Sequence, residues 1–132
     1  PDLLSLATGA KTETFKLLSL RGYIRLAEQG ASEEDMAAMF AQAAKLVKRK
    51  EEKLLLLSGL QNATNSTAAV KVAEPFLTDE TVHEEAARAA ASIADRVKEK
   101  DLTEVKAVMK KIPDATKDAW VRGVAERVIG KP

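Results

Sequence analysis

The run Lys53-Leu54-Leu55-Leu56-Leu57-Ser58-Gly59-Leu60, a polar turn, and then Ala68-Ala69-Val70-Lys71-Val72-Ala73-Glu74-Pro75-Phe76-Leu77 decides the fold class. A strand would alternate apolar and polar residues, and neither half does. Four consecutive leucines fill most of a helix circumference, so this helix must be covered on several sides. In the second half Ala69, Val70, Val72 or Ala73, and Leu77 return at helical steps. Pro75 removes one backbone donor, so the helix kinks or ends there. Asn62-Ala63-Thr64-Asn65 makes the turn, and Asn65 or Ser66 caps the next helix. The stretch therefore predicts one helix over 51–61 and another over 67–74 or 67–77.

The same signals recur on both sides. Upstream, a helix over 14–28 aligns Leu17, Leu20, Ile24 and Ala27 on one face, widened by Phe15, Leu18 and Tyr23. Gly30 closes it and Ser32 opens a second over 33–48. Glu33, Glu34 and Asp35 sit at its positive end, and Lys45, Lys48 and Arg49 at its negative end. Met36, Met39, Phe40, Ala43, Leu46 and Val47 form its inner face. Downstream, Asp79 caps a helix over 80–99 that turns Val82, Ala86, Ala89, Ala90, Ile93 and Val97 inward. Asp101 or Thr103 starts a sixth, burying Leu102, Val105, Val108, Met109 and Ile112. After Pro113-Asp114 a seventh runs to 129 on Val121, Val124, Ala125 and Val128, and Gly130 stops it. Residues 2–8 read as a short apolar turn or helix tail, stopped at Thr8-Gly9-Ala10.

The chain has 132 residues, the size of one domain. With 45% hydrophobic and 31% charged residues it can form a core. No cysteine and a single histidine exclude disulfides, zinc-thiolate sites, a cysteine nucleophile and any site needing two imidazoles. The net charge of +1 lacks the basic excess of strong nucleic-acid binders. No apolar run approaches the length of a membrane span. The chain opens Pro1-Asp2 without a methionine, which is compatible with a fragment of a larger protein that has lost a leader or an upstream region.

A longer period underlies the helices. Arg21-Gly22, Ser58-Gly59, Ala91-Ser92 and Arg122-Gly123 recur at intervals of roughly 30–40 residues, the range of helical solenoids. Small residues at these sites would let neighbouring helices approach closely. A unit of this kind cannot bury its apolar face alone, so stacking must bury it.

The stretch 53–77 resembles one HEAT repeat, and Asp79-Glu80-Thr81-Val82-His83-Glu84-Glu85-Ala86-Ala87 resembles the opening of the next. HEAT-like repeats commonly begin "Val, x, x, Glu-Ala-Ala" after an acidic turn, as Val82 to Ala87 does. The resemblance covers about residues 12–129 and departs from the usual pattern at Ala91, where leucine is common. It implies an all-α, right-handed α-α superhelix of about seven helices in three to four antiparallel pairs. Such repeats also resemble segments appended to larger bacterial proteins, some of them exported.

Chemistry-bearing clusters are few. Glu80-x-x-His83 with Glu84 and Glu85 has the helix-face spacing of carboxylate-bridged di-iron bundles, and His-Glu pairs in HEAT-like repeats resemble deoxyhypusine hydroxylase. Both designs need several copies of the motif. A solvent-facing His83 in an acidic first turn is the simpler reading, with no metal or cofactor. Lys48-Arg49-Lys50-Glu51-Glu52-Lys53 reads as a solvated helix junction rather than a binding patch. Trp120, beside the Val121/Val124/Val128 stripe, reads as core or end cap.

The resulting expectation is a non-catalytic protein-interaction or scaffold module. Its partner is a protein or adjacent domains of the same chain. Contact candidates lie off the core stripe of the second helices: Gln42, Lys45, Lys71, Lys106 and Lys110. A nucleic-acid-binding domain of the DNA-glycosylase HEAT-like kind ranks second, and a metal-dependent enzyme third.

Overall fold

A computed structural model describes residues 13–131, with side chains from residue 16 onward. The expected turn over 2–8, its stop at 8–10 and the side chain of Phe15 lie outside the described residues. In chain order the elements are α1 Glu13–Ala27, α2 Glu33–Ala44, α3 Lys50–Ala63 and α4 Thr67–Ala73. A 3-10 helix Glu74–Thr78 follows, then α5 His83–Arg96, α6 Thr103–Met109, the single turn α7 Ile112–Ala115, and α8 Ala119–Ile129. No strand occurs among the described residues, so the all-α class stands.

The helices pack in two rows. In one, α1 lies on α3, α3 on α5 and α5 on α8; in the other, α2 lies on α4, α4 on α6 and α6 on α8. α5 is central and touches α3, α4, α6, α7 and α8. A helix enclosed on so many sides needs small side chains. Ala86, Ala87, Ala89, Ala90, Ala91 and Ala94 are all buried there. Leu56, Leu57 and Leu60 of α3 are buried with them, while Leu54 and Leu55 are half-buried at the edge.

Many polar bonds between helices fall at similar sequence separations, although others span 25, 26, 35 or 37 residues. Arg21–Glu52 and Gln61–Ser92 are 31 residues apart. Glu33–Asn65, Thr67–Glu99, His83–Ala115 and Glu84–Thr116 are 32 apart, and Lys71–Glu104 are 33 apart. Several of these bonds serve helix termini. Glu99 Oε2 accepts from the Thr67 backbone N–H at 2.8 Å, an acid at the start of α4. Arg96 donates to the carbonyls of Gln61 and Thr64 at the end of α3, which lack intrahelical partners.

Helix boundaries differ from the sequence reading at several points, including α5 ending at Arg96 rather than 99 and Ile112 falling in α7 rather than α6; three have a visible cause. α2 ends at Ala44 rather than near 48, because Lys45 and Leu46 donate to Gln42 and Ala43 three residues back, tightening the chain out of the α-helix. Pro75 does not merely kink α4; the chain continues as a 3-10 turn that buries Phe76 and Leu77. α5 begins at His83, not 80, because Asp79 is not its cap. Its carboxylate instead accepts from the Thr81 backbone N–H at 2.9 Å and from the Thr81 hydroxyl at 2.6 Å, a local turn that competes with the helix.

Ser32, Ser66 and Asp118 do cap α2, α4 and α8, each accepting from a backbone N–H three residues on. The inner face assigned to α2 is only partly inner: Met36, Met39 and Leu46 are half-buried around fully buried Phe40 and Ala43. Leu18 stands 61% exposed on α1 and belongs to no core face. Gly30 keeps α1 and α2 close without a left-handed backbone. A Cβ there would stand 2.7 Å from Met36 Cγ.

Candidate partner-binding groove

A groove of about 690 Å³ runs between α2 and α4, on the face of the second row of helices. It exists because both helices stop early. Where α2 unwinds, Ala44, Lys45 and Val47 form one wall; where α4 gives way to the 3-10 turn, Val72, Pro75 and Phe76 form the other. Ala41 and Ala68 leave the middle open because their side chains are short. Lys53 and Asp79, whose Nζ and Oδ2 are 2.6 Å apart, complete the lining. The Lys53 hydrogen bond, with two more from Thr81, holds the Asp79 carboxyl down at about 2. Asp79 is therefore a fixed anion with its lone pairs engaged.

The five expected contact residues do not form one strip. Lys45 and Lys71 both line the groove, from the end of α2 and from α4. Gln42 is exposed on α2 but does not line it. Lys106 is half-buried and donates to the Lys131 carbonyl, and Lys110 is exposed elsewhere, at the end of α6. Lys71 also reaches Glu104 at 3.3 Å, with both side chains about half-exposed. No salt bridge involves Lys45 among the described residues.

The charged junction is solvated at Lys48, Arg49, Lys50 and Glu51, which are exposed, but not at Glu52. Glu52 is fully buried, its Oε2 2.6 Å from Arg21 Nη2. Its other oxygen, Oε1, is 3.3 Å from Arg49 Nε but accepts no hydrogen bond among the described residues. The sequence held a signal for this. Glu52 lies four residues before Leu56, on the stripe that continues to Leu60, so helical spacing places it inward.

His83 is half-buried rather than solvent-facing. Its Nδ1 lies 2.6 Å from the Ala115 carbonyl, which can only accept, so Nδ1 carries the proton. It lines a second hollow of about 610 Å³ together with Glu74, Glu80, Lys111 and Asp114. Glu74 is tied to Lys111 at 2.6 Å. Among the described residues no group of three or more His, Asp and Glu side chains could hold a metal ion. Trp120 is neither core nor end cap: it stands 62% exposed on α8. No described helix is long and apolar enough to cross a membrane. Searches for similar proteins returned no matching family model, no matching curated protein and no matching solved structure.

Proposed function

We propose that the chain is a non-catalytic interaction or scaffold module built as a HEAT-like α-α superhelix. The observation that carries the reading is that many bonds between helices join residues 31–33 apart, although others span 25 to 37. Bonds clustered near one offset, with most helices lying on the next but one, are what stacked repeats produce. Stacked repeats form long surfaces whose side chains are free to contact a partner, and the groove between α2 and α4 lies on such a surface. Nucleic-acid binding is the weaker reading, because the lysines of that surface are largely matched by acids: Lys53 by Asp79, Lys71 by Glu104, Lys111 by Glu74.

Two experiments test the reading. A random-peptide display selection on the immobilised protein should enrich binders; a selection that enriches none counts against an interaction module. Fluorescence anisotropy with a short duplex and a single strand should show little binding at about 150 mM salt. Submicromolar binding there, weakened by Lys71→Glu, would put nucleic acid first.

A further inference from the structure

We propose that the α2/α4 groove takes an acidic amphipathic helix: a short segment with apolar anchors on one face and carboxylates flanking them. This rests on the interaction-module reading and names the partner's chemistry. The groove's walls are largely apolar, with Ala44 and Val47 on one side and Val72, Pro75 and Phe76 on the other, and the small Ala68 between them. Its charged lining consists of three lysines and one acid. The acid, Asp79, is already engaged by Lys53 and Thr81, so it presents no free carboxylate to an incoming ligand. Lys45 is exposed, and the Lys71–Glu104 pair is open to water at 48% and 60% side-chain exposure. A pair so exposed contributes little and exchanges readily for another carboxylate. Lys53 and Asp79 neutralise each other, so the charge left to attract a ligand is that of Lys45, with Lys71 wherever it exchanges Glu104, and it favours an anionic occupant.

The occupant's shape is set by the walls. The groove is broadly open to solvent, a shape that suits a segment laid along it. A channel between two helices, largely apolar with lysines in its lining, matches the helix-in-groove mode, with anchors at i, i+3 or i+4, and i+7. Lys45 and Lys71 would each meet a carboxylate flanking those anchors.

The test uses two labelled peptides of about a dozen residues with leucine anchors at that spacing, one filled with glutamate and one with lysine. Anisotropy titrations are run at low and at physiological salt on the protein and on two surface variants, Lys45→Glu/Lys71→Glu and Ala68→Trp. Circular dichroism confirms that both variants stay helical. The glutamate peptide should bind the parent at least about tenfold more tightly than the lysine peptide, more so at low salt. The double charge reversal should invert that preference, and Ala68→Trp, which fills the groove, should weaken the glutamate peptide by about tenfold or more. Equal affinity for both peptides, no binding of either, or indifference to both variants would overturn the proposal. Peptides from the display selection that bind Ala68→Trp as well as the parent would move the contact elsewhere while the module reading stands.

Discussion

Arg21 and Glu52 join α1 to α3 by an ion pair in which the acid is fully buried and the base is at the surface. Glu52 Oε2 receives Arg21 Nε at 2.7 Å and Nη2 at 2.6 Å, while the Arg21 side chain keeps 37% exposure. Removing the base strands a buried carboxylate, which for a dry pair costs about 3–5 kcal/mol. Arg49, 3.3 Å from the other oxygen, and the partial exposure of Arg21 reduce that. Arg21→Ala should therefore destabilise by about 2–3 kcal/mol in urea unfolding, whereas Arg21→Met with Glu52→Met together should come close to neutral. A double variant as damaged as the single one would show that the pair stabilises on its own account.

Asp79 makes stability depend on acid. Its carboxyl titrates at about 2 in the fold against an ordinary 3.8. A depressed acid contributes stability that is complete above its unfolded value and is lost as pH falls through its folded value. The wild type should thus exceed Asp79→Asn in stability at neutral pH, by on the order of 1 kcal/mol once solvent screening is allowed for. The difference should shrink from about pH 5 downward, be mostly gone at about pH 2 and vanish near about pH 1. Urea midpoints for both proteins across that range measure it; a difference that persists undiminished at pH 2 would remove Lys53 and Thr81 as its cause.

How much of this was legible in the sequence divides along a physical line. Periodicity found every long helix, because burying an apolar face is a sum over many residues. Helix ends were read less well, since one side chain decides them. Asp79 looks like a cap in the sequence, yet Thr81 and Lys53 claim its oxygens. The groove was invisible for the same reason: it arises from the early end of α2 and the 3-10 turn at Pro75. Lys45 and Lys71 stand out in the sequence only as lysines off the core stripe, and which lysines share a surface depends on how α2 lies on α4.

His83 shows the cost of reading a histidine by its neighbours in sequence alone. An acidic first turn suggests an exposed ring, but the bond to the Ala115 carbonyl ties α5 to α7. His83→Ala should lose about 1 kcal/mol in thermal or urea unfolding, the net value of one such hydrogen bond. A change within a few tenths would show that water replaces the ring at Ala115.

Trp120 is the chain's single tryptophan, so its fluorescence reports one site. At 62% exposure it should emit at the red, water-like end of the indole range and be quenched by iodide nearly as well as free tryptophan. Its emission should shift little on unfolding. A blue emission protected from iodide would mean that α8 has a covering partner in solution, including a second copy of the chain.

The glycines of the longer-period repeat separate close packing from mere recurrence. Gly59 and Gly123 occupy the same place in the series Ser58-Gly59 and Arg122-Gly123, where small residues were expected to bring helices together. At Gly59 a Cβ would stand 2.9 Å from Oε1 of Glu28, just past the end of α1, so the exposed end of that side chain, not the α1 backbone, lies against α3 there. At Gly123 a Cβ would meet nothing within 4 Å, so no neighbour explains that glycine. Both lie inside helices with ordinary negative φ. An alanine in a helix interior gains about 0.5–1 kcal/mol over glycine through reduced freedom of the unfolded chain. Gly123→Ala should therefore stabilise by about that amount. Gly59→Ala should gain less or nothing, because the exposed Glu28 side chain must move aside first. Paired urea unfolding curves measure both changes. Equal stabilisation by the two substitutions would show that the Glu28 carboxylate yields without cost and that α1 and α3 do not need a glycine at 59; destabilisation by Gly123→Ala would reveal a contact on the outer face of α8.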